Sequence, residues 1–234
     1  MFTSPLFLIM LVFMALSALV SWQLKSRFKK YSQIPSASRV SGKEVAEQML
    51  RDNGIFNVSV VSVKGTLSDH YNPANKTVNL SPDVYNGRNV AAAAVAAHEC
   101  GHALQDANDY AFLRFRTALV PLQNISGRVV NIVFIAMFAG AFLLPHLVPM
   151  KLALEIIIAC YAIFTLFAFI TLPVEINASW RALAWLNNNG VTSIDTHGYA
   201  KDALKWAAYT YVVAALASLV TLLYYVMLYT NNRN

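Results

Sequence analysis

Residues 94–105, AVAAHECGHALQ, set two histidines and a glutamate in an alanine-rich run. If the run crosses a membrane, those residues lie in hydrocarbon. If it is a helix packed inside a protein, they form a site. Only eight apolar residues, Val90 to Ala97, precede His98 and Glu99. Arg88 and Asn89 stand before them, and Asp106, Asn108 and Asp109 follow. A span needs about 20 apolar residues, so the run reads as a helix of about 89–106 buried in protein.

The chain around it is a membrane protein by composition. Of 234 residues, 57% are hydrophobic and 13% charged, against about 25% charged in soluble domains. Four stretches are long enough to span: 6–24, 129–147, 152–172 and 206–229. The first lacks a basic leading segment and is followed by KSRFKK, so it reads as an uncleaved anchor. The net charge of +6 is concentrated on particular loops. It points to a lipid bilayer and to topology, with no nucleic-acid partner. If KSRFKK is cytoplasmic, so are 25–128 and 173–205, which hold 16 of the 18 Lys and Arg; only Lys151 and Arg233 fall outside them. The positive-inside rule then puts both termini, and His146, outside. Tyr224, Tyr225 and Tyr229 suit an outer aromatic belt.

Between the first two spans, Ser41-x-x-Glu44 is a capping box opening a helix that ends at Gly54. IFNVSVVSV (55–63) and TVNLS (77–81) read as strands, the second a candidate edge, with the turn formers of GTLSDHYNPANK as a loop and His70 as a turn residue. Pro121 is expected to kink or break the helix leading into the second span. The expected fold is a mainly α membrane protein with about four transmembrane helices and a small α+β zincin-like domain at the cytoplasmic face. Its organisation is an anchor at 1–24, a catalytic segment at 25–128, a transmembrane hairpin at 129–172, a cytoplasmic helical segment at 173–205, and a last span with a short tail at 206–234.

On a helix, His98 and His102 at i and i+4 project from one face and can share a zinc ion, one per chain. Zinc lowers the pKa of water toward about 7, and Glu99 beside the histidines can take its proton. The small neighbours Ala96, Ala97, Cys100, Gly101 and Ala103 permit close packing. A strand just before the helix suits a peptidase, since such enzymes bind substrate backbone by β-addition. Catalytic zinc usually has three protein ligands, and the motif supplies two. Asp106 lies one turn beyond His102, but three successive i+4 positions spread too far to close on one ion easily. Glu155 lies near the outer end of the third span, and Glu175 just past its inner end. Cys100 points away from the metal face and Cys160 lies mid-span, so no disulfide is expected.

HECGHALQ followed by PVEINASWRAL resembles the gluzincin arrangement, in which a second helix supplies a glutamate. With LSDHYNP, VNLS and LPVEINAS, nearly the whole chain resembles the YugP-like neutral zinc metallopeptidases. It is more distantly similar to the HtpX and CAAX-prenyl-protease peptidases. The resemblance implies His98, His102 and Glu175 as zinc ligands and Glu99 as the catalytic base. The distant relatives carry an aspartate where this chain has Ser179; Ser179 or Asn177 could accept the same imidazole hydrogen bond. Parity agrees on Glu175, because two spans return the chain to the motif's side. Reading EINASWRALAWLNNNG as a helix puts Glu175 at its start and Gly190 at its stop. His197, Tyr199 and Arg181 are further candidates near the reaction, with loop or cap roles as the alternative.

The expected activity is a membrane-embedded zinc metalloendopeptidase acting on a peptide or membrane-protein substrate, in a bacterial plasma membrane. The alternative from another class is a non-catalytic zinc-dependent membrane scaffold or chaperone partner. Glu99 separates the two, since a structural site needs no base and usually has four closed ligands. Few ionisable groups lie in the spans, which disfavours a transporter. No motif identifies a regulatory membrane partner. Cysteines introduced near Ser36 or Asn188 are expected to be shielded from an impermeant thiol reagent in intact cells, and one near Asn232 to be labelled. The reverse labelling would put the motif outside.

Overall fold

Ten helices and strands account for most of the computed structural model, which describes residues 4–142 and 149–231. His146 and Arg233, with the end of the second expected span, lie outside the described residues. The order is α1 (Pro5–Tyr31), α2 (Gly42–Asp52), β1 (Ser59–Ser62), β2 (His70–Asn72), β3 (Thr77–Leu80), α3 (Pro82–Tyr85), α4 (Val90–Ala107), α5 (Ala111–Phe142), α6 (Met150–Asn188) and α7 (Ile194–Asn231). Helices α1, α5, α6 and α7 are long and apolar enough to cross a membrane. The chain divides into two compact units. One gathers Met1–Ala18, Phe115–Thr171 and Tyr211–Asn234; the other gathers Leu19–Arg114 and Leu172–Thr210.

In the first unit, Val133 of α5, Ala153, Leu154 and Ile157 of α6 and Tyr225 of α7 form a buried cluster. Glu155 is bound there by Tyr229, whose hydroxyl donates to its carboxylate at 2.8 Å. Pro121 stands inside α5 and Pro173 inside α6, and both helices run on through them. A proline removes one backbone donor, but membrane helices tolerate that loss when neighbours compensate. The expected break at Pro121 is therefore absent. For the same reason Glu175 lies deep in α6, not at the start of a separate helix.

The second unit is built around α4. Asn89 caps it, its side chain accepting from the Ala92 N–H at 2.9 Å. Most of α4 is buried, including Ala91 to Ala94, Ala96 and Ala97. Alanine has the highest helix propensity, and its small side chain lets several elements approach one helix. Val45 and Met49 of α2, Val78 and Leu80 of β3, Val84 of α3, Leu186 of α6 and Leu204 of α7 join α4 in one core. Helix α2 opens with the capping box: the Glu44 N–H donates to Ser41 Oγ, and Glu44 Oε2 accepts from the Ser41 N–H at 2.7 Å. It stops at Asn53, followed by Gly54 in the left-handed region at φ 71°. The C-terminal end of α1 is tied to α7, where the Tyr31 hydroxyl donates to Asp202 at 2.6 Å and Arg27 pairs with the same carboxylate.

The sheet departs from the sequence expectation. Its order is β1-β3-β2, with β1 parallel and β2 antiparallel to β3. His70, expected in a turn, begins strand β2 and pairs with Asn79. The turn formers are real but sit later. Asn72 Oδ1 accepts from the backbone of Ala74 and Asn75, and Lys76 takes φ 52°, closing a hairpin. Because β2 covers one side of β3, the strand before the motif helix is central, and the sheet edges are β1 and β2. Asp69, just before β2, accepts from the Ser81 N–H at 2.7 Å and so joins LSDHYNP to VNLS.

Candidate metal centre

Two helices meet at the centre, each presenting a pair of residues four apart. Helix α4 brings His98 and His102, with ring centroids 4.8 Å apart and nearly perpendicular. Helix α6 brings Glu175 and Ser179. Between the pairs the backbones nearly touch. A Cβ added to Gly101 would stand 2.5 Å from the carbonyl oxygen of Ala178, a distance no side chain accepts. Gly101 follows His98 by three residues, and Ala178 follows Glu175 by three. The closest contact therefore falls within the site.

Nε2 of His98 lies 3.3 Å from Glu175 Oε2, and Nε2 of His102 lies 3.6 Å from the same oxygen. One ligand atom from each of the three residues falls within 4.8 Å of the others. Zinc bonds to nitrogen and oxygen are about 2.0–2.2 Å, so neighbouring ligands of a tetrahedral zinc stand about 3.3–3.6 Å apart. The two distances match that edge, and the donors are of the types zinc prefers. The residues fit a zinc ion.

The outer nitrogens are held as well. His102 Nδ1 lies 3.0 Å from Gln105 Oε1, which can only accept, so that nitrogen carries the proton and leaves the Nε2 lone pair for a metal. Gln105 is itself fixed, its amide donating to the Val174 carbonyl at 2.8 Å and to Asn177 Oδ1 at 3.0 Å. Ser179 Oγ lies 3.1 Å from His98 Nδ1, so of the two expected acceptors, Ser179 and Asn177, it is Ser179 that meets an imidazole. Burial disfavours the His102 imidazolium, but the hydrogen bond and charge of Glu175 outweigh it, with a contribution from Glu99, and hold its pKa above the ordinary value.

Glu99 is 8% exposed, and its carboxylate accepts no hydrogen bond from another described residue. The remaining candidates separate. Asn177 accepts from Gln105 and from Arg181 Nε, so it acts one layer further out, and Arg181 is engaged along its own helix at 2.8 Å. His197 pairs with Thr192 Oγ1 near the start of α7 and is not among the clustered donors. Tyr199 stacks on Tyr31. Asp106 receives 2.6 Å hydrogen bonds from the Tyr71 hydroxyl and the Lys76 ammonium, tying the β2–β3 hairpin to the end of α4. Burial and this bond push the Tyr71 pKa well up, so it remains a donor. Buried Cys100 faces the Ala46 carbonyl of α2, away from the centre. Sequence reasoning missed Gln105. Its signal was its place three residues beyond His102, on the same helical face.

Comparison with known proteins agrees with this chemistry. The chain belongs to the family described as "Putative neutral zinc metallopeptidase", whose model matches residues 6–230. It is 40% identical over 221 residues to the "Putative membrane protease YugP" of Bacillus subtilis (strain 168), covering 94% of this chain and 95% of that protein. No solved structure matches it. At the level of family the chain is a zinc protease, and its four apolar helices mark it as an integral membrane protein.

Metal analysis of purified variants checks the ligand set. Glu175→Ala is expected to lose most zinc while staying folded, whereas Glu155→Ala and Asp106→Ala keep it; full zinc in Glu175→Ala would exclude that residue. Gly101→Ala forces α4 and α6 apart. We expect about 1–3 kcal/mol of destabilisation from the overpacking and a zinc affinity at least tenfold weaker, in the range of lost support to a ligand. An unchanged affinity would show that the close approach does not set the site.

Proposed function

We propose that this chain is a gluzincin-type zinc metalloendopeptidase, with His98, His102 and Glu175 as zinc ligands and Glu99 as general base. The observation that carries the reading is the state of Glu99. Glu99 follows His98 directly on α4, and its carboxylate has no hydrogen-bond partner among the described residues. Its oxygens are not among the buried atoms left without one, so they keep access to water beside the three-donor cluster. A carboxylate with a structural task would be tied to a neighbouring side chain; one open to water beside three metal-type donors suits a base. This favours catalysis over a zinc-dependent scaffold.

Zinc, when bound, supplies Lewis acidity that polarises a substrate carbonyl and acidifies water. The protein does the rest. Gln105 and Ser179 fix the tautomer and orientation of the two imidazoles. Glu99 takes the proton of the attacking water and passes it to the leaving amine. Strand β2, an edge strand tied to α4 through Asp106, offers unpaired backbone on which a peptide can lie by β-addition.

In this reading 25–128 and 173–205 form the catalytic part at the cytoplasmic face of a bacterial plasma membrane, with both termini outside. The concentration of Lys and Arg on those segments supports the orientation. Glu99→Gln retains a hydrogen-bonding group but cannot take a proton. We expect it to keep its zinc and to lose about 10²–10⁴ in turnover of a quenched-fluorescent peptide library. Equal turnover at matched metal content would end the peptidase reading.

A further inference from the structure

Helix α6 is unbroken from Met150 to Asn188, and its exposed face does not change character where the expected span ends at Leu172. Leu166 and Phe169 are exposed on that face within the span. Pro173, half-buried, continues it, followed by Ile176 at 38% and Trp180 at 67% exposure. The spacing of three, four, three and four residues is that of one helical stripe. Half-buried Asn177 flanks it, but none of its fully exposed residues before Asn187 is charged or an amide. Exposed large apolar groups in line with a lipid-facing stripe lower the free energy when they too are removed from water.

The length of the helix agrees. From Lys151 to Trp180 is 29 residues, about 44 Å at 1.5 Å per residue. A bilayer with its headgroup regions is about 40–45 Å thick. Tryptophan is favoured at the headgroup level, and Arg181 follows it. Glu175 stands five residues, or about 7 Å, on the membrane side of Trp180. Its neighbour on the stripe is Ile176.

We propose that the Leu166–Trp180 face of α6 contacts lipid along its whole length, so that the Glu175 and Ser179 side of the metal centre lies at the depth of the bilayer interface. Joined to the peptidase reading, on which this consequence rests, the bond presented for cleavage belongs to a polypeptide at the membrane surface. It lies within a few residues of a transmembrane or membrane-lying segment. A freely dissolved protein would not reach it.

Site-directed spin labelling tests the depth without any hydrolysis. The full chain in phospholipid vesicles carries one label at a time, on Leu166→Cys, Ile176→Cys, Trp180→Cys or Asn187→Cys. The parent without an added cysteine gives the background from buried Cys100 and Cys160. Collision with oxygen, which partitions into lipid, is compared with collision with a water-soluble nickel chelate. Oxygen is expected to dominate several-fold at 166 and less strongly at 176, the two reagents to be near balance at 180 at the headgroup level, and the chelate to dominate at 187. Chelate dominance at 176 and 180 would overturn the proposal, placing the centre in water. Shielding of both positions from both reagents would overturn it as well, showing a protein surface packed there. Because the readout is depth alone, failure of the peptidase reading would appear separately, as inactive protein with lipid-exposed labels.

Discussion

The approach of α4 to α6 at Gly101 and Ala178 is the constraint on which the rest of the site depends. Two helices usually pack 8–10 Å apart, and a side chain at the crossing would set the distance. With hydrogen at Gly101 and a methyl group at Ala178, the backbones close until a carbonyl oxygen fills the space of a missing Cβ. Only then do the imidazoles of one helix and the carboxylate of the other reach the separations that a small cation needs. The alanine run before His98 serves the same end, since it lets α2, β3 and α3 pack around α4.

Around the three donors, polar groups are paired so that the lone pairs face inward. Gln105 links the helices a second time: its carbonyl holds His102 while its amide holds Val174 and Asn177 of α6. Ser179 holds His98 from the opposite helix. Each imidazole is therefore steadied by a neutral acceptor, where a carboxylate would make it a stronger donor to the metal. Glu175 brings the negative charge directly, and Glu99 adds a second nearby.

Much of this was legible in the sequence, for physical reasons. The i, i+4 spacing of His98 and His102 and of Glu175 and Ser179 determines which side chains share a face. The capping box at Ser41 and Glu44 and the left-handed Gly54 mark the ends of α2 by local chemistry alone. Strand β2 was hidden because its three residues sit among strong turn formers, and only pairing with β3 makes them a strand. The continuity of α6 through Pro173 was hidden because propensity forbids what a membrane helix tolerates. Asp106 looked like a spare ligand one turn from His102, and its contacts with Tyr71 and Lys76 depend on a hairpin the sequence did not reveal. The close contact at Gly101 is tertiary, and a glycine in a helix does not state its neighbour.

In the proposed centre one zinc ion is held by two imidazoles and a carboxylate across α4 and α6, and zinc-edge X-ray absorption on the purified chain reads that shell itself. A sulfur-free shell of nitrogen and oxygen at about 2.0–2.1 Å, with outer-shell scattering from two imidazoles, is expected. A zinc–sulfur distance near 2.3 Å, which Cys100 or Cys160 would have to supply, or scattering from a third imidazole, would contradict it.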